Sequence, residues 1–218
     1  MRVYHFINER FGLDDIKLRR LKIARINELN DPFELLAANF ADETDRAVWR
    51  VLKARSAQAF GLICFSKSWR NPVQWSHYSE RHRGICLGFD VPEGLLKSVS
   101  YSRNRLPWER YEVINNQQAG EDFIERVLST KFSHWRYEQE MRLFVRLDPA
   151  AEQSGFYYMS FSPELALKEV IVGSSSSVSR SQIEDALGNL AANVRCWKAR
   201  LAFKSFRVVK QRKASLWS

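Results

Sequence analysis

Residues 61–90 read GLICFSKSWRNPVQWSHYSERHRGICLGFD and contain two short apolar runs, 61–66 and 85–90, separated by a polar segment. Short apolar runs that are rich in Ile, Leu and Phe and bounded by Gly, Ser or Asp are typical of buried strands. The intervening segment 73–80 favours a helix, and Gly84 is well placed to end it. The stretch therefore predicts a buried strand, a helix and a second buried strand.

The sequence on either side continues this mixture of strands and helices. Further strands are predicted at 3–7, 22–26, 99–101, 141–147, 155–161, 169–172, 194–201 and 205–210, and helices at 14–20, 44–57, 121–129 and 181–191. Another helix is predicted through 36–40, because Asp31, Pro32 and Glu34 supply an acidic N-cap, a proline at the first helical position and a glutamate at the third. Helices interrupt the strands without regular alternation, which favours an α+β fold.

Length and composition indicate one folded domain. The chain has 218 residues, of which 45% are hydrophobic and 13% aromatic, enough to bury a core without disulfides or metals. We predict a single domain over 1–218. Cys64, Cys86 and Cys196 are far apart and odd in number, so a zinc site or disulfide framework is not expected and a reducing cytoplasm is the expected location. No signal or membrane-spanning segment is predicted.

The net charge of +9 is concentrated near the C-terminus. No acidic residue follows Asp185, whereas eight basic residues do. Within the basic segment 194–218, predicted to form terminal strands or a tail of the same domain, aromatic residues alternate with the cations, a pattern suited to binding phosphates and stacking on bases. The candidate nucleic-acid contacts are Arg195, Lys198, Arg200, Lys204 and Arg207. The alternative, favoured for charge runs in general, is a solvated hairpin whose aromatic residues face the core.

Two carboxylates, Glu138 and Glu140, stand two residues apart at the start of a predicted apolar strand. In an extended segment this spacing directs both to one face. A fixed anion at such a position stabilises positive charge that develops on a sugar. The alternative, which the local spacing alone favours, is a surface ladder of ion pairs with Arg136 and Arg142.

Further candidate residues for binding or catalysis lie elsewhere in the sequence. Trp75, His77 and Tyr78 belong to a segment dense in stacking and hydrogen-bonding groups, although helical spacing equally suits a core position for Trp75 and Tyr78. His77 and His82 lack a third ligand for zinc. Tyr4 and His5 occupy the predicted first strand, and Ser66 and Ser68 end another. Glycine-rich nucleotide motifs are absent from the sequence, so Rossmann and P-loop modes of nucleotide binding are not supported.

Four blocks in order, 30–34 (NDPFE), 75–78 (WSHY), 82–89 (HRGICLGF) and 135–142 (WRYEQEMR), resemble a bacterial domain family of unknown function found among phage-defence and abortive-infection genes. The resemblance extends from Val3 to about Val172. In its motif order this family is similar to a divergent ADP-ribosyltransferase, which implies a split central β-sheet and NAD as a substrate.

The resemblance also implies roles for single residues. His5 would bond the adenosine-side ribose, Tyr78 would stack on nicotinamide, and Glu140 would bind the nicotinamide ribose and stabilise its oxocarbenium ion. Glu138 would orient or deprotonate the acceptor. Ser66 and Ser68 are similar to the Ser-x-Ser strand end of the arginine-modifying branch, so either Ser66 or Tyr78 fills the middle role. The further candidates for NAD contact are Tyr4, Asn30, Trp75 and His77.

We therefore expect NAD-dependent transfer of ADP-ribose to a macromolecule, with RNA or DNA favoured over protein, by a toxin or anti-phage effector that needs no metal. An antitoxin or chaperone is an expected partner, and no membrane is. One alternative is a nuclease in which Asp31, Glu34, Glu138 and Glu140 hold magnesium. The other is a non-catalytic nucleic-acid-binding module that depends on the basic segment.

Overall fold

The protein contains twelve strands and six α-helices in the part of the chain described by a computed structural model, residues 1–31, 33 and 35–217. The elements in order are β1 (Arg2–Ile7), α1 (Glu9–Leu18), β2 (Arg20–Arg25), α2 (Glu43–Ala59), β3 (Phe60–Ser66), α3 (Pro72–Tyr78), β4 (Ile85–Asp90), β5 (Leu96–Ser98), β6 (Ser100–Ser102), α4 (Arg110–Asn115), α5 (Gln117–Leu128), β7 (Thr130–Phe132), β8 (Glu140–Arg146), β9 (Tyr157–Ser160), β10 (Ala166–Val172), α6 (Arg180–Leu187), β11 (Arg195–Leu201) and β12 (Val208–Lys210).

Most strands belong to one mixed sheet with the order β12-β11-β10-β4-β1-β3-β2-β9. The strand β1 pairs with β4 from Arg2 to Ile7, but it pairs with β3 only where Tyr4 meets Ser66. On its other side β3 pairs with β8 along its whole length. The sheet therefore splits between β1 and β3. The prediction of a single α+β domain is confirmed.

The helix α3 begins and ends for local reasons. The Asn71 side chain accepts a hydrogen bond from the Val73 amide, and Pro72 occupies the first turn, so both N-terminal signals coincide. The helix ends at Tyr78, before a turn in which Glu80, Arg81 and His82 all have positive φ. Gly84 does not end the helix. A Cβ atom there would lie 2.2 Å from the Ile7 carbonyl oxygen, so its glycine permits close approach of two backbones.

The helix predicted through 36–40 is wrong. Leu35 has φ of 67°, and Ala38 forms a β-bridge with Leu106. The Asp31 carboxylate accepts a hydrogen bond from the Phe33 amide at 2.9 Å, whereas Pro32 and Glu34 lie outside the described residues. The segment packs into a second core cluster, in which the buried indole of Trp49 donates to the Leu35 carbonyl. Tertiary contacts therefore outweigh the local capping signal.

The basic C-terminal segment is built into this fold. Strand β11 pairs in parallel with β10, and Trp197 packs in a core cluster with Trp69 and Trp75. Phe203 and Phe206, by contrast, are 94% and 97% exposed in the loop between β11 and β12. The aromatic residues of the segment are therefore divided between the core and an exposed loop.

The cysteines and the helices bear on the expected absence of disulfides and of membrane-spanning segments. The three cysteines Cys64, Cys86 and Cys196 all carry free thiols. None of the helices within the described residues has the length and apolar character needed to span a lipid bilayer.

Candidate active site

A cavity of about 300 Å³ opens where β1 and β3 separate. Beyond the Tyr4 to Ser66 bridge the two strands no longer pair, so side chains rather than backbone groups fill the gap. Its polar and charged lining comes from β1, the segment after β2, β3, α3, β7, the turn before β8, and β8. These residues are Tyr4, His5, Glu28, Asn30, Ser66, Gln74, Tyr78, Lys131, Glu138 and Glu140. The split in the sheet is therefore the origin of the site.

His5 forms a hydrogen bond with a backbone carbonyl group where the two strands separate. Its Nδ1 lies 2.9 Å from the Cys64 carbonyl oxygen, and because a carbonyl only accepts, Nδ1 must carry the proton. Burial lowers the pKa of His5, an effect that the Cys64 carbonyl partly opposes. The ring is therefore neutral near pH 7, with Nε2 as its hydrogen-bond acceptor.

Both carboxylates are buried beside two cations. The Lys131 ammonium lies 2.9 Å from Oε2 of Glu138 and 2.7 Å from Oε2 of Glu140. Arg142 binds Glu140 through Nε at 2.9 Å and Nη2 at 3.2 Å. The four side chains are at most 6% exposed. The pair therefore belongs to a buried ionic network rather than to a surface ladder, and the ion pairs of the described residues do not include Arg136.

The backbone that carries the pair is not extended as its spacing suggested. Glu138 ends a 3₁₀ turn over Ser133–Glu138, and Gln139 adopts left-handed geometry with φ of 47°. The Glu138 carbonyl accepts hydrogen bonds from the Ser66 hydroxyl at 2.7 Å and the Gln74 amide at 2.8 Å. Ser66 therefore positions the loop between the two carboxylates.

Tyr78 and Asn30 complete the polar wall. The Tyr78 hydroxyl donates to Oε1 of Glu138, and the Asn30 amide donates to the Tyr78 hydroxyl at 3.1 Å. Burial, followed by the hydrogen bond to Glu138, raises the pKa of Tyr78. The phenol is therefore protonated at physiological pH and acts as a donor toward Glu138.

The two carboxylates differ in their proton affinity. Burial raises the pKa of Glu138, although Lys131 and Tyr78 partly oppose the effect. Burial also acts on Glu140, but the neighbouring Arg142 and Lys131 outweigh it and hold the pKa of Glu140 at about 2. Glu140 is therefore a permanent anion, whereas Glu138 titrates closer to neutrality than an ordinary glutamate.

Several sequence candidates lie outside the cavity. Trp75 is fully buried, its indole donates to the Trp69 carbonyl at 2.6 Å, and its ring packs against Phe6. It is a core residue, which corrects its expected contact with NAD. His77 is exposed and lies 2.9 Å from the Tyr137 hydroxyl, and Ser68 lines a different concavity.

The acids suggested for magnesium do not come together as one set. Asp31 is buried away from the cavity lining, and Glu34 lies outside the described residues. Across the described positions, no three His, Cys, Asp or Glu side chains form a group able to hold a metal ion.

The basic candidates divide into two groups. Arg195 pairs with Glu169, and the Lys198 ammonium donates to the Ser176 carbonyl at 2.9 Å. Arg200, Lys204 and Arg207 line surface concavities around the loop that joins β11 and β12.

Sequence reasoning missed Gln74 and Lys131. The Gln74 side chain is 3% exposed, and its Oε1 has no hydrogen-bond partner among the described residues. Lys131 lies on β7, a strand too short to show a periodic pattern. Buried carboxylates require a cation, which is the signal for Lys131. Arg136 and Arg142 are nearer to the carboxylates in sequence, so the ion pairs were assigned to them.

Comparison with known proteins gives one family. A family described as "Protein of unknown function (DUF2971)" matches residues 74–143, about a third of the chain. The matched segment includes Gln74, Tyr78, Lys131, Glu138 and Glu140, whereas His5, Asn30 and Ser66 lie outside it. The expected similarity to a family of unknown function is therefore confirmed over this segment. No curated protein and no solved structure matches the chain.

Proposed function

We propose that this protein is an NAD-dependent ADP-ribosyltransferase that modifies a macromolecule. The observation that carries the proposal is the meeting of His5, Tyr78 and Glu140 in one cavity. These residues come from β1, α3 and β8, and the motif resemblance assigned each a place in NAD binding. The resemblance to phage-defence genes is the support for a toxin or anti-phage role and for an antitoxin partner.

The cavity suits the reacting end of NAD. Its volume of about 300 Å³ is at the lower end for ligand pockets, so it accommodates nicotinamide and its ribose rather than the whole dinucleotide. The unpartnered Oε1 of Gln74 offers an acceptor for the carboxamide N–H. In a cavity of this size, Nε2 of His5 offers an acceptor for a hydroxyl of the nicotinamide-side ribose, in place of the adenosine-side ribose that the resemblance implies. The Tyr78 ring offers a stacking surface.

The different pKa values of the carboxylates suggest their roles. Departure of neutral nicotinamide breaks the C1′–N bond, takes the electron pair and leaves positive charge on the ribose. Glu140, ionised at any physiological pH, stabilises that charge without bonding to it. The acceptor nucleophile then bonds to C1′, and its proton passes to Glu138, whose raised pKa suits proton transfer.

The metal-dependent alternative has weaker support from the geometry. Lys131 already occupies the position between the carboxylates, within 2.9 Å of each. A divalent cation bridging Glu138 and Glu140 would have to displace a buried ammonium.

The test is nicotinamide release and label transfer from adenylate-labelled NAD in cell extract. We expect Glu140→Gln to lower both rates at least roughly 100-fold, because an electrostatic group at the developing charge is lost. Glu138→Gln should lower transfer roughly 100-fold or more while sparing slow hydrolysis. Glu125→Gln is the control, since Glu125 forms an exposed ion pair with Lys97.

Circular dichroism and thermal unfolding must accompany these assays, because Glu140→Gln leaves buried Lys131 and Arg142 short of an anion. Glu138→Gln, in which the amide oxygen still accepts from Tyr78, provides the second and milder variant. Folded Glu140→Gln protein that transfers label at the wild-type rate would exclude the proposed mechanism.

A further inference from the structure

The loop over 202–207, between β11 and β12, displays two aromatic rings to solvent. Phe203 is 94% exposed and Phe206 is 97% exposed. The Arg200 guanidinium lies 5.0 Å from the centroid of the Phe203 ring. Exposed aromatic rings clustered with arginine are characteristic of binding surfaces rather than of inert loops.

Cations surround both rings. Two concavities of about 390 Å³ and 370 Å³ flank the loop, one including Phe203 in its lining and the other Phe206, and Arg70 lines both. We call this region the hairpin surface; its cations are Arg70, Arg200, Lys204, Arg207, Lys210 and Arg212. The lining residues of the two concavities include no Asp or Glu. The surface is therefore strongly positive.

The hairpin surface extends to the loop that separates the two carboxylates in sequence. The concavity that contains Phe206 and Arg207 is also lined by Tyr137 and Gln139. Gln139 is the left-handed residue between Glu138 and Glu140. A ligand lying along the surface would therefore end against the loop that carries both carboxylates.

We propose that the hairpin surface binds single-stranded nucleic acid. Grooves that bind single strands combine cations along the phosphates with aromatic rings on which unpaired bases stack, and both are present on the same walls here. Paired bases in a duplex do not offer their faces to Phe203 and Phe206, so single strands are preferred. Charge complementarity to the uncompensated cations selects a polyanion as the occupant.

Binding of the strand needs no NAD and does not depend on the proposed chemistry. If the protein is also a transferase, the bound strand lies beside Gln139, the neighbour of both glutamates in sequence, and nucleic acid is the acceptor class. That extension rests on the proposed function, whereas the binding itself does not.

The experiment measures fluorescence anisotropy of labelled single strands of about 16 nucleotides, as RNA and as DNA, without NAD. We expect Phe203→Ala and Phe206→Ala each to weaken binding at least about fivefold, since each removes a stacking platform. Phe11→Ala is the matched control: Phe11 is 55% exposed and has the Arg10 guanidinium 5.9 Å from its ring centroid, so affinity should not change.

The contribution of the cations to strand binding is measured by its salt dependence. Replacing Lys204 or Arg212 with Gln should reduce the slope of log affinity against log salt by about 0.7 for each lost phosphate contact. The replaced side chains are all at the surface, so the melting temperatures of the variants should match that of the wild type. A loss of binding can then be distinguished from a folding defect.

Three results would overturn the proposal. They are wild-type affinity in the Phe203→Ala/Phe206→Ala double variant, equal affinity for a blunt duplex of the same length, and binding to anionic lipid vesicles without binding to oligonucleotides. Strand binding without nicotinamide release would instead overturn the transferase proposal alone.

Discussion

Tyr78 contributes a hydrogen bond to the candidate site, and its ring has a proposed second role. The motif resemblance implies that its ring stacks on nicotinamide, whereas the structure shows that its hydroxyl donates to Glu138. Ring and hydroxyl are chemically separable, because phenylalanine keeps the first and lacks the second. Substitutions at this single position therefore distinguish an effect on NAD binding from an effect on the pKa of Glu138.

We predict that Tyr78→Phe moves the acidic limb of the rate profile to higher pH. The Tyr78 hydrogen bond lowers the pKa of Glu138, so its loss raises that pKa further, and more alkaline solution is needed to ionise the base. The KM for NAD should change little, whereas Tyr78→Ala should raise it. The measurement is the steady-state rate of label transfer from adenylate-labelled NAD to the acceptor in cell extract between pH 5 and 9, a range of roughly two pH units about neutrality.

Tyr111→Phe is the control for Tyr78→Phe, because Tyr111 is 83% exposed and does not line the cavity. An acidic limb at the wild-type pH in Tyr78→Phe would mean that Glu138 does not titrate in the rate-limiting step.

At the level of elements, one of the shortest strands carries the cation that joins the two carboxylates of the candidate site. Strand β7 has three residues, and its central residue Lys131 bridges the two carboxylates. Such a strand has neither the length nor the alternation that reveals longer strands such as β4. Burial of Lys131 ties β7 to β8 through charge rather than through strand pairing.

We predict that Lys131→Met lowers the free energy of unfolding by roughly 3–5 kcal/mol, because it leaves a buried network with an excess of negative charge. Lys97→Met removes the exposed pair with Glu125 and should cost no more than about 1 kcal/mol. Urea unfolding of both variants provides the comparison. Equal midpoints for the two would contradict a buried ionic link between β7 and β8.

Across the whole molecule, the basic segment is a structural part of the domain. Trp197, Ala199, Val208 and Trp217 are all buried, and the Trp217 indole donates to the Val178 carbonyl at 2.9 Å. The charged loop at its tip projects outward from this core. The proposed binding surface and a structural element therefore occupy the same stretch of sequence.

We predict that a chain ending at Asn193 loses cooperative thermal unfolding, because it lacks β11, β12 and their buried aromatic side chains. The Phe203→Ala/Phe206→Ala variant, changed only at exposed positions, should melt within a few degrees of the wild type. Calorimetry tests both. A sharp transition in the shortened chain would show that the segment is dispensable for folding.

The sequence by itself determined the features that depend on local chemistry. The apolar runs predicted β3 and β4 to within a residue, and periodicity predicted α2, α5 and α6 with shifted ends. The capping signal failed at 36–40, where long-range packing of Leu35 and Ala38 prevailed, and Gly84 did not end α3. The order of the motif blocks also led to His5, Tyr78 and the carboxylate pair.

Only the tertiary structure decided how these residues meet. The cavity exists because β1 and β3 separate after one bridge, and strand pairing at long range leaves no local periodic trace. The same holds for Lys131 and Gln74, whose roles arise from neighbours distant in sequence. The pKa of each carboxyl group likewise depends on its burial and on the cations beside it, so the residue types alone did not distinguish Glu138 from Glu140.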